Sequence, residues 1–174
     1  MQKRRFHDRH EHRLQLLIPT RADPSLVLCP RCRQMAQVLP APSDTSSSLF
    51  QLSCDHCGLT KRAAGAQHTF DWSADNPGDS IFRLPLWMQT QCCGHSLWLY
   101  NRRHLEVLEA YINAELRQRR RSYSGWANAS MVSRLPRWIT AAKNREELVK
   151  ALARLRSRGG FAQPVKPPGD AGER

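Results

Sequence analysis

Four cysteines in two C-x-x-C pairs are the residues of this sequence best suited to chemistry. Cys29 and Cys32 form the first pair and Cys54 and Cys57 the second, with 21 residues between the pairs. A C-x-x-C turn points two thiolates at one ion, and two such turns on neighbouring strands complete a tetrahedral shell of four sulfurs. The spacing therefore predicts that these four cysteines bind one Zn²⁺ ion. Because protein would fill all four positions, the ion is expected to be structural.

Residues 26–60 resemble a zinc ribbon. Pro30 follows the first cysteine and Gly58 follows the last, as suits tight turns. The Cys-x-x-Cys-Gly ending resembles ribbons of the transcription-factor-IIB type, and the chain is similar to uncharacterised bacterial zinc-ribbon proteins. The resemblance covers about a fifth of the sequence. It implies a metal-held set of strands but no activity.

Three other interpretations of the cysteine pairs are open. A disulfide framework requires an oxidising compartment, and the basic N-terminus lacks the apolar segment of a secretion signal. A thioredoxin-type redox pair would explain one C-x-x-C, and no βαβ pattern surrounds either. An iron–sulfur cluster can use four cysteines, but these spacings differ from the usual ferredoxin ones. We therefore favour structural zinc.

The sequence Cys92-Cys93-Gly94-His95 holds further potential ligands. Adjacent side chains on a strand point to opposite faces, which disfavours one ion shared by Cys92 and Cys93. We interpret both as small buried residues beside a hairpin turn. The alternatives are that one of these cysteines joins His95 in a second metal site or replaces a ligand of the ribbon.

No sequence motif of an enzyme accompanies the cysteines. The sequence lacks the His-x-Glu of zinc deaminases, H-E-x-x-H, the phosphate-binding G-x-x-x-x-G-K-[ST] and G-x-S-x-G. Acidic residues are few, and no pair suggests a two-metal nuclease site. The protein is therefore expected not to be an enzyme.

The charge of the chain is strongly positive and unevenly distributed. Lys and Arg number 27 against 15 Asp and Glu, a formal net charge of +12, of which +9 falls in residues 101–158. Such a surplus favours an anionic partner, although a solvated helical surface is the simpler alternative. The residues expected to contact nucleic acid lie beside the cysteine pairs or on predicted helices: Arg31, Arg33, Lys61, Arg62, Arg117, Arg119, Arg120, Arg121, Lys150, Arg154 and Arg158.

The elements that must position these residues follow from hydrophobic periodicity. Strands are predicted at 14–18, 49–53, 84–90 and 96–100, the last two as a hairpin. A helix is predicted from its N-cap at Asn101 to about Arg121. Pro136 starts or kinks a second helical segment. Asn144 and Glu147 form a capping-box pair for a third helix, which Gly159 and Gly160 end.

The predicted fold class is α+β, with an N-terminal four-cysteine zinc ribbon and β-hairpin followed by a C-terminal unit of about three helices. His7, His10 and His12 belong on this view to a flexible arm rather than to a metal site. The expected regions are a flexible basic arm (1–13), the ribbon (14–70), a β-hairpin region packing on it (71–100), a basic helical unit (101–158) and a disordered tail (159–174).

The function that these features favour is non-catalytic binding of nucleic acid, either DNA or RNA, through Arg-rich helical surfaces. The alternative is a protein-interaction subunit of a larger nucleoprotein complex, for example in a mobile-element or defence system. No apolar run is long enough to cross a bilayer, so no membrane partner is expected. The expected location is the cytoplasm.

Overall fold

The computed structural model describes residues 5–7, 17–42, 49–65, 77–114, 116–118, 121–122, 125–126 and 130–161. The predicted mixed architecture is confirmed: an antiparallel sheet, then a hairpin, then helices. No helix among these residues is long and apolar enough to cross a membrane. The elements are β1 (Arg5–His7), β2 (Ser25–Leu28), β3 (Met35–Pro40), β4 (Leu49–Ser53), β5 (Thr60–Ala64), β6 (Met88–Cys92), β7 (His95–Leu99), α1 (Arg102–Asn113), β8 (Leu116–Gln118), β9 (Arg121–Ser122), β10 (Gly125–Trp126), α2 (Arg137–Thr140) and α3 (Arg145–Arg158).

Strands β2 to β5 form an antiparallel sheet in sequence order. Alternate residues of the central strands, Val38 on β3 and Phe50 and Leu52 on β4, are buried, as expected for a sheet with one face on the core. Strand β4 has the predicted bounds. The strand predicted at 14–18 is not found in the part of it that the structure describes, since Leu17 and Ile18 lie outside any strand.

Strands β6 and β7 form the predicted hairpin, but its connection is shorter than expected. Cys92 pairs with His95, so the loop consists of Cys93 and Gly94 alone. Their φ angles are 53° and 77°, the two positive values that a type I′ turn requires. The tight turn matches the right-handed twist of the strands and holds both cysteines at the end of the hairpin.

Backbone hydrogen bonds join the hairpin region to the four-stranded sheet. Trp87 N donates to Leu26 O at 2.9 Å, and Leu28 N donates to Pro85 O at 2.9 Å. Tyr100, the residue that follows the hairpin, accepts a hydrogen bond at its carbonyl oxygen from Leu26 N at 2.8 Å. The free edge of β2 is therefore covered, and the buried residues of the sheet, hairpin and helices form one hydrophobic cluster.

Helix α1 begins where the sequence predicts and ends earlier. The Asn101 side chain accepts a hydrogen bond from His104 N at 2.9 Å, as an N-cap does. The predicted extension to about Arg121 is wrong, because the backbone becomes extended at Ala114. The Ala114 carbonyl accepts a hydrogen bond from the Arg145 guanidinium at 2.6 Å. A side chain from α3 thus satisfies a carbonyl at the end of α1.

The chain beyond α1 pairs with the N-terminal segment. Strand β8 lies parallel to β1, and Phe6 is buried with its ring edge-on to Tyr111 at 5.4 Å between centroids. The prediction of a flexible arm is therefore wrong for Arg5–His7. The rest of that arm, with His10 and His12, lies outside the described residues.

The same pairing corrects the Arg-rich end predicted for the first helix. Arg117 lies in β8 and Arg121 in β9, so neither belongs to a helix. Arg119 and Arg120 lie outside the described residues. Residues 162–174 of the predicted tail also lie outside them, whereas Phe161 packs against the hydrophobic core.

The last two helices follow the sequence pattern with one difference. Pro136 directly precedes α2, so it starts that helix. Helix α3 starts after Asn144, but Asn144 forms no capping bond and its amide donates to Trp138 O at 2.8 Å. The helix ends before Gly159, as predicted, and Gly160 has a φ of 71°.

Helices α1 and α3 are joined by a buried ion pair. Arg156 is 2% exposed, and its Nε and Nη2 donate to the two carboxylate oxygens of Glu109 at 2.9 and 2.5 Å. Two parallel bonds of this kind give an Arg–carboxylate pair both strength and a fixed geometry. The pair therefore sets how α3 lies against α1.

Candidate metal centre

The two C-x-x-C pairs lie in turns with the same backbone hydrogen bonds. In the first turn, Cys29 N donates to Gln34 O at 2.8 Å and Arg33 N donates to Cys29 O at 3.0 Å. The second turn repeats both bonds, with Cys54 N donating to Leu59 O at 3.0 Å and Gly58 N donating to Cys54 O at 2.9 Å. Both turns lie at the same end of the four-stranded sheet, because Leu28 pairs with Met35 and Ser53 with Thr60.

The four cysteine sulfurs converge on one point. The Sγ atoms of Cys29 and Cys57 are 3.7 Å apart, and those of Cys32 and Cys54 are 3.6 Å apart. These separations are far longer than the roughly 2.0 Å of a disulfide bond. A tetrahedral ion with metal–sulfur bonds of about 2.3 Å requires sulfurs about 3.8 Å apart. The tetrad Cys29, Cys32, Cys54 and Cys57 could therefore hold one metal ion.

Cys29 and Cys32 of the tetrad have thiols of different pKa. Burial raises the pKa of Cys29, but the backbone N–H groups of Cys32 and Arg31 outweigh it and lower the pKa to about 6. For Cys32, the Gln34 N–H lowers the pKa, but burial and the neighbouring sulfurs raise it to about 12. Four sulfurs this close cannot all carry negative charge unless a cation compensates them. Metal binding here must therefore release protons.

The basic residues predicted beside the cysteine pairs are exposed. Arg31 and Arg33 lie in the first turn, and Lys61 and Arg62 on β5, the edge strand of the sheet. Arg31 approaches the second turn, with its guanidinium 3.5 Å from Cys57 O. Four cations thus lie in the first turn or on the edge strand that follows the second turn.

The basic stripe predicted on α3 is also exposed, opposite a buried face of Leu148, Ala151, Leu152 and Leu155. Lys150 and Arg154 line a pocket of about 270 Å³ beside the hairpin turn. The Arg158 guanidinium lies 4.7 Å from the ring centroid of Trp87, a cation–π contact. The stripe therefore faces the hairpin as well as solvent.

Cys92, Cys93 and Glu147 form a second group of potential ligands, which the sequence alone does not predict. The sulfurs of Cys92 and Cys93 are 3.5 Å apart, and Cys93 Sγ lies 3.3 Å from a carboxylate oxygen of Glu147. Strand alternation predicts that the two cysteines are separated, but Cys93 belongs to the turn and has a φ of 53°. His95 lies outside this group and stacks on Trp138 at 4.8 Å between ring centroids. The two-residue turn Cys93-Gly94 is the signal in the sequence that could have revealed the grouping.

This second group has thiols that resist ionisation. Burial raises the pKa of Cys92 above its usual value. Burial also raises the pKa of Cys93, and hydrogen bonds with Cys92 and Glu147 add to the effect and bring it to about 12. At neutral pH and without a cation, both thiols are therefore protonated.

The matched turns of the tetrad allow a paired test of backbone strain. Gly58 and Arg33 occupy the same left-handed position, with φ of 68° and 62°. A Cβ on Gly58 would contact nothing within 4 Å, so Gly58→Ala adds a backbone cost of about 1–2 kcal/mol, and the stiffer unfolded chain offsets part of it, for a net loss of about 1 kcal/mol. We expect that loss in the free energy of unfolding of the metal-loaded protein, measured in urea.

The reciprocal change, Arg33→Gly, relieves that strain but gives the unfolded chain more freedom. The two effects are of similar size, so the expected net change is within about 1 kcal/mol. Arg33→Ala is the control, because it removes the same charge and keeps the strained backbone. Equal stability of Gly58→Ala and the unmodified protein would contradict the prediction.

The four cysteines of the tetrad are the best-defined candidate site among the described residues. Comparison of the chain with family models, curated proteins and solved structures gives no match.

Proposed function

We propose that this chain is a non-catalytic zinc-ribbon protein that binds nucleic acid. The observation that carries the proposal is the placement of exposed cations around the metal end of the sheet and along α3. Arg33, Lys61, Arg62, Lys150 and Arg154 form no ion pair with any acidic residue among those the structure describes. Such side chains are available to phosphate groups.

Zinc is the ion that the tetrad suits best. Four thiolates in a tetrahedral arrangement are typical of structural zinc, and the observed sulfur separations agree with zinc–sulfur bonds of about 2.3 Å. With four protein ligands, such an ion has no position for a water nucleophile or a substrate. The role that follows is to hold the two turns, and the cations beside them, in one rigid arrangement.

The nucleic-acid contacts would be made to the phosphate backbone. Arginine predominates over lysine in the chain and can contact phosphate with two parallel hydrogen bonds. Contacts of this kind supply affinity and orientation but do not read sequence. Arg117 and Arg121 stay predicted contributors, although not as part of a helix. Arg119 and Arg120, which lie outside the described residues, also stay predicted contributors.

A salt titration tests the proposal. The zinc-loaded chain is expected to bind single- or double-stranded DNA or RNA, with an affinity that falls steeply with salt. Each phosphate contact to duplex DNA contributes about 0.9 to the slope of log K against log salt. The double variants Lys61→Ala/Arg62→Ala and Lys150→Ala/Arg154→Ala should therefore each reduce the slope by up to about 2.

Arg102→Ala is the control for this titration. Arg102 is exposed, pairs with Glu106 four residues along α1, and belongs to neither proposed surface. It should leave the slope unchanged. Failure of the zinc-loaded chain to bind all four nucleic acids at low salt would refute the proposal, as would slopes that neither double variant alters.

The second candidate is a protein-interaction subunit of a larger complex. The observation that favours it is β5, whose outer edge pairs with no other described strand and whose residues are nearly all exposed. An open edge can accept a strand from another protein. A folded, zinc-loaded chain that binds none of the four nucleic acids would leave this candidate in place.

A further inference from the structure

The end of the hairpin and the start of α3 bring three metal-ligating groups together outside the tetrad. The ligand atoms of Cys92, Cys93 and Glu147 lie within 4.8 Å of one another. The closest separations are 3.5 Å between the two sulfurs and 3.3 Å from Cys93 Sγ to Glu147 Oε2. Two rigid elements therefore hold a dithiol and a carboxylate at one place.

These separations suit a divalent cation with an affinity for sulfur. Metal–sulfur bonds of about 2.3 Å and a metal–oxygen bond of about 2.1 Å at tetrahedral angles place sulfurs about 3.8 Å apart and sulfur and oxygen about 3.6 Å apart. The observed distances are only a few tenths of an ångström shorter. A small outward movement of the side chains would admit the ion.

The surrounding charges also favour a divalent cation at this place. Two thiolates and a carboxylate carry three negative charges, and a divalent cation leaves one of them uncompensated. Lys150 and Arg154 line the pocket of about 270 Å³ that adjoins the cysteines, and they supply the balancing positive charge. The pocket also leaves a fourth coordination position open to water.

We propose that Cys92, Cys93 and Glu147 form a second metal site, which binds one thiophilic divalent cation such as Zn²⁺ between the hairpin turn and α3. The site has three protein ligands and an open position, whereas the tetrad has four protein ligands. Its ion is therefore exchangeable and binds more weakly than the ion of the tetrad. The site does not depend on nucleic-acid binding.

Zinc calorimetry on the full chain tests this site. The reduced protein is first given one equivalent of Zn²⁺, which the tetrad takes, and is then titrated with further Zn²⁺. A second binding event with a stoichiometry of one is expected. Cys93→Ser should abolish it, and Glu147→Gln should weaken it by about tenfold or more, at least the effect of losing an outer-shell partner.

Glu146→Gln is the matched control. Glu146 is the neighbour of Glu147 in the first turn of α3, so this change removes the same charge from the same helix end. It should leave the second event unaltered. Absence of that event in the unmodified chain would overturn the proposal, as would its survival in Cys93→Ser or equal weakening by the two glutamate variants. The Glu147→Gln comparison holds even if Cys93→Ser disturbs the turn.

Discussion

Cys54→Ser is expected to lose the metal ion of the tetrad and to destabilise the sheet end that carries the two turns. Cys54 is 1% exposed, and its replacement leaves three thiolates close together without the fourth ligand. In small zinc domains, metal binding contributes on the order of 10 kcal/mol to the free energy of folding. In this larger chain, only part of the binding energy is expected to stabilise the fold. We therefore expect a loss of several kcal/mol in the free energy of unfolding.

The loss of structure in Cys54→Ser should be confined to the end of the sheet that carries the two turns. Val27, Val38 and Leu52 of the sheet belong to the hydrophobic cluster that includes α1 and α3, so the cluster keeps the rest of the chain folded. Amide hydrogen exchange should accelerate in the two turns and in neighbouring strand ends, with α3 still protected. After a weak chelator has removed the more exchangeable second ion, elemental analysis should show no metal in Cys54→Ser and one ion per chain in the unmodified protein.

Cys93→Ser is the matched control, because it makes the same chemical change outside the tetrad. It should keep the ion of the tetrad and the slow exchange of the turns. A Cys54→Ser protein that retains this ion would show that the tetrad is not the binding site. Retention of full stability after loss of the ion would show that the metal does not support the fold.

Glu109→Ala is expected to cost about 3–5 kcal/mol of stability, because it leaves the guanidinium of Arg156 buried and without its carboxylate partner. The side chain of Arg156 is only 3% exposed, so water cannot replace the lost bonds without opening the contact between α1 and α3. Urea unfolding of the metal-loaded protein measures this cost.

Two further variants separate the ion pair from general effects of the helix. Glu106 lies three residues before Glu109 on α1 and forms an exposed ion pair with Arg102. Glu106→Ala breaks this pair, so its expected cost in the free energy of unfolding is at most about 1 kcal/mol. The double change Glu109→Leu/Arg156→Met removes both buried charges and should recover much of the stability. Similar costs for Glu106→Ala and Glu109→Ala would contradict the assignment of Arg156 to a buried pair.

Local patterns in the sequence predicted the tetrad and several elements correctly. The geometry of each C-x-x-C turn is set within about six residues, and the repeated spacing predicted that the two turns share one ion. The register of the antiparallel sheet then brings Cys29, Cys32, Cys54 and Cys57 together. Strand β4 and the buried face of α3 follow from period-2 and period-3.6 patterns in the same way.

Contacts between distant segments decided the features that the sequence did not reveal. Periodicity at Leu116 continued the pattern of α1, but pairing of β8 with β1, more than a hundred residues earlier, ended the helix. The ion pair of Arg156 with Glu109 joins residues 47 apart, which no local pattern records.

The six cysteines show most clearly which features the sequence predicts and which only the tertiary structure decides. For the tetrad, residue type and the repeated spacing were sufficient to predict the site, because each turn is local and sequential antiparallel strands bring the two turns to one end of the sheet. For Cys92 and Cys93, strand alternation gave the wrong relation, because a positive φ at Cys93 brings its sulfur to within 3.5 Å of the Cys92 sulfur. Glu147 resembled a capping residue in the sequence, and only the packing of α3 on the hairpin placed its carboxylate beside them. Sequence thus determined the first candidate metal site, whereas tertiary structure alone created the second.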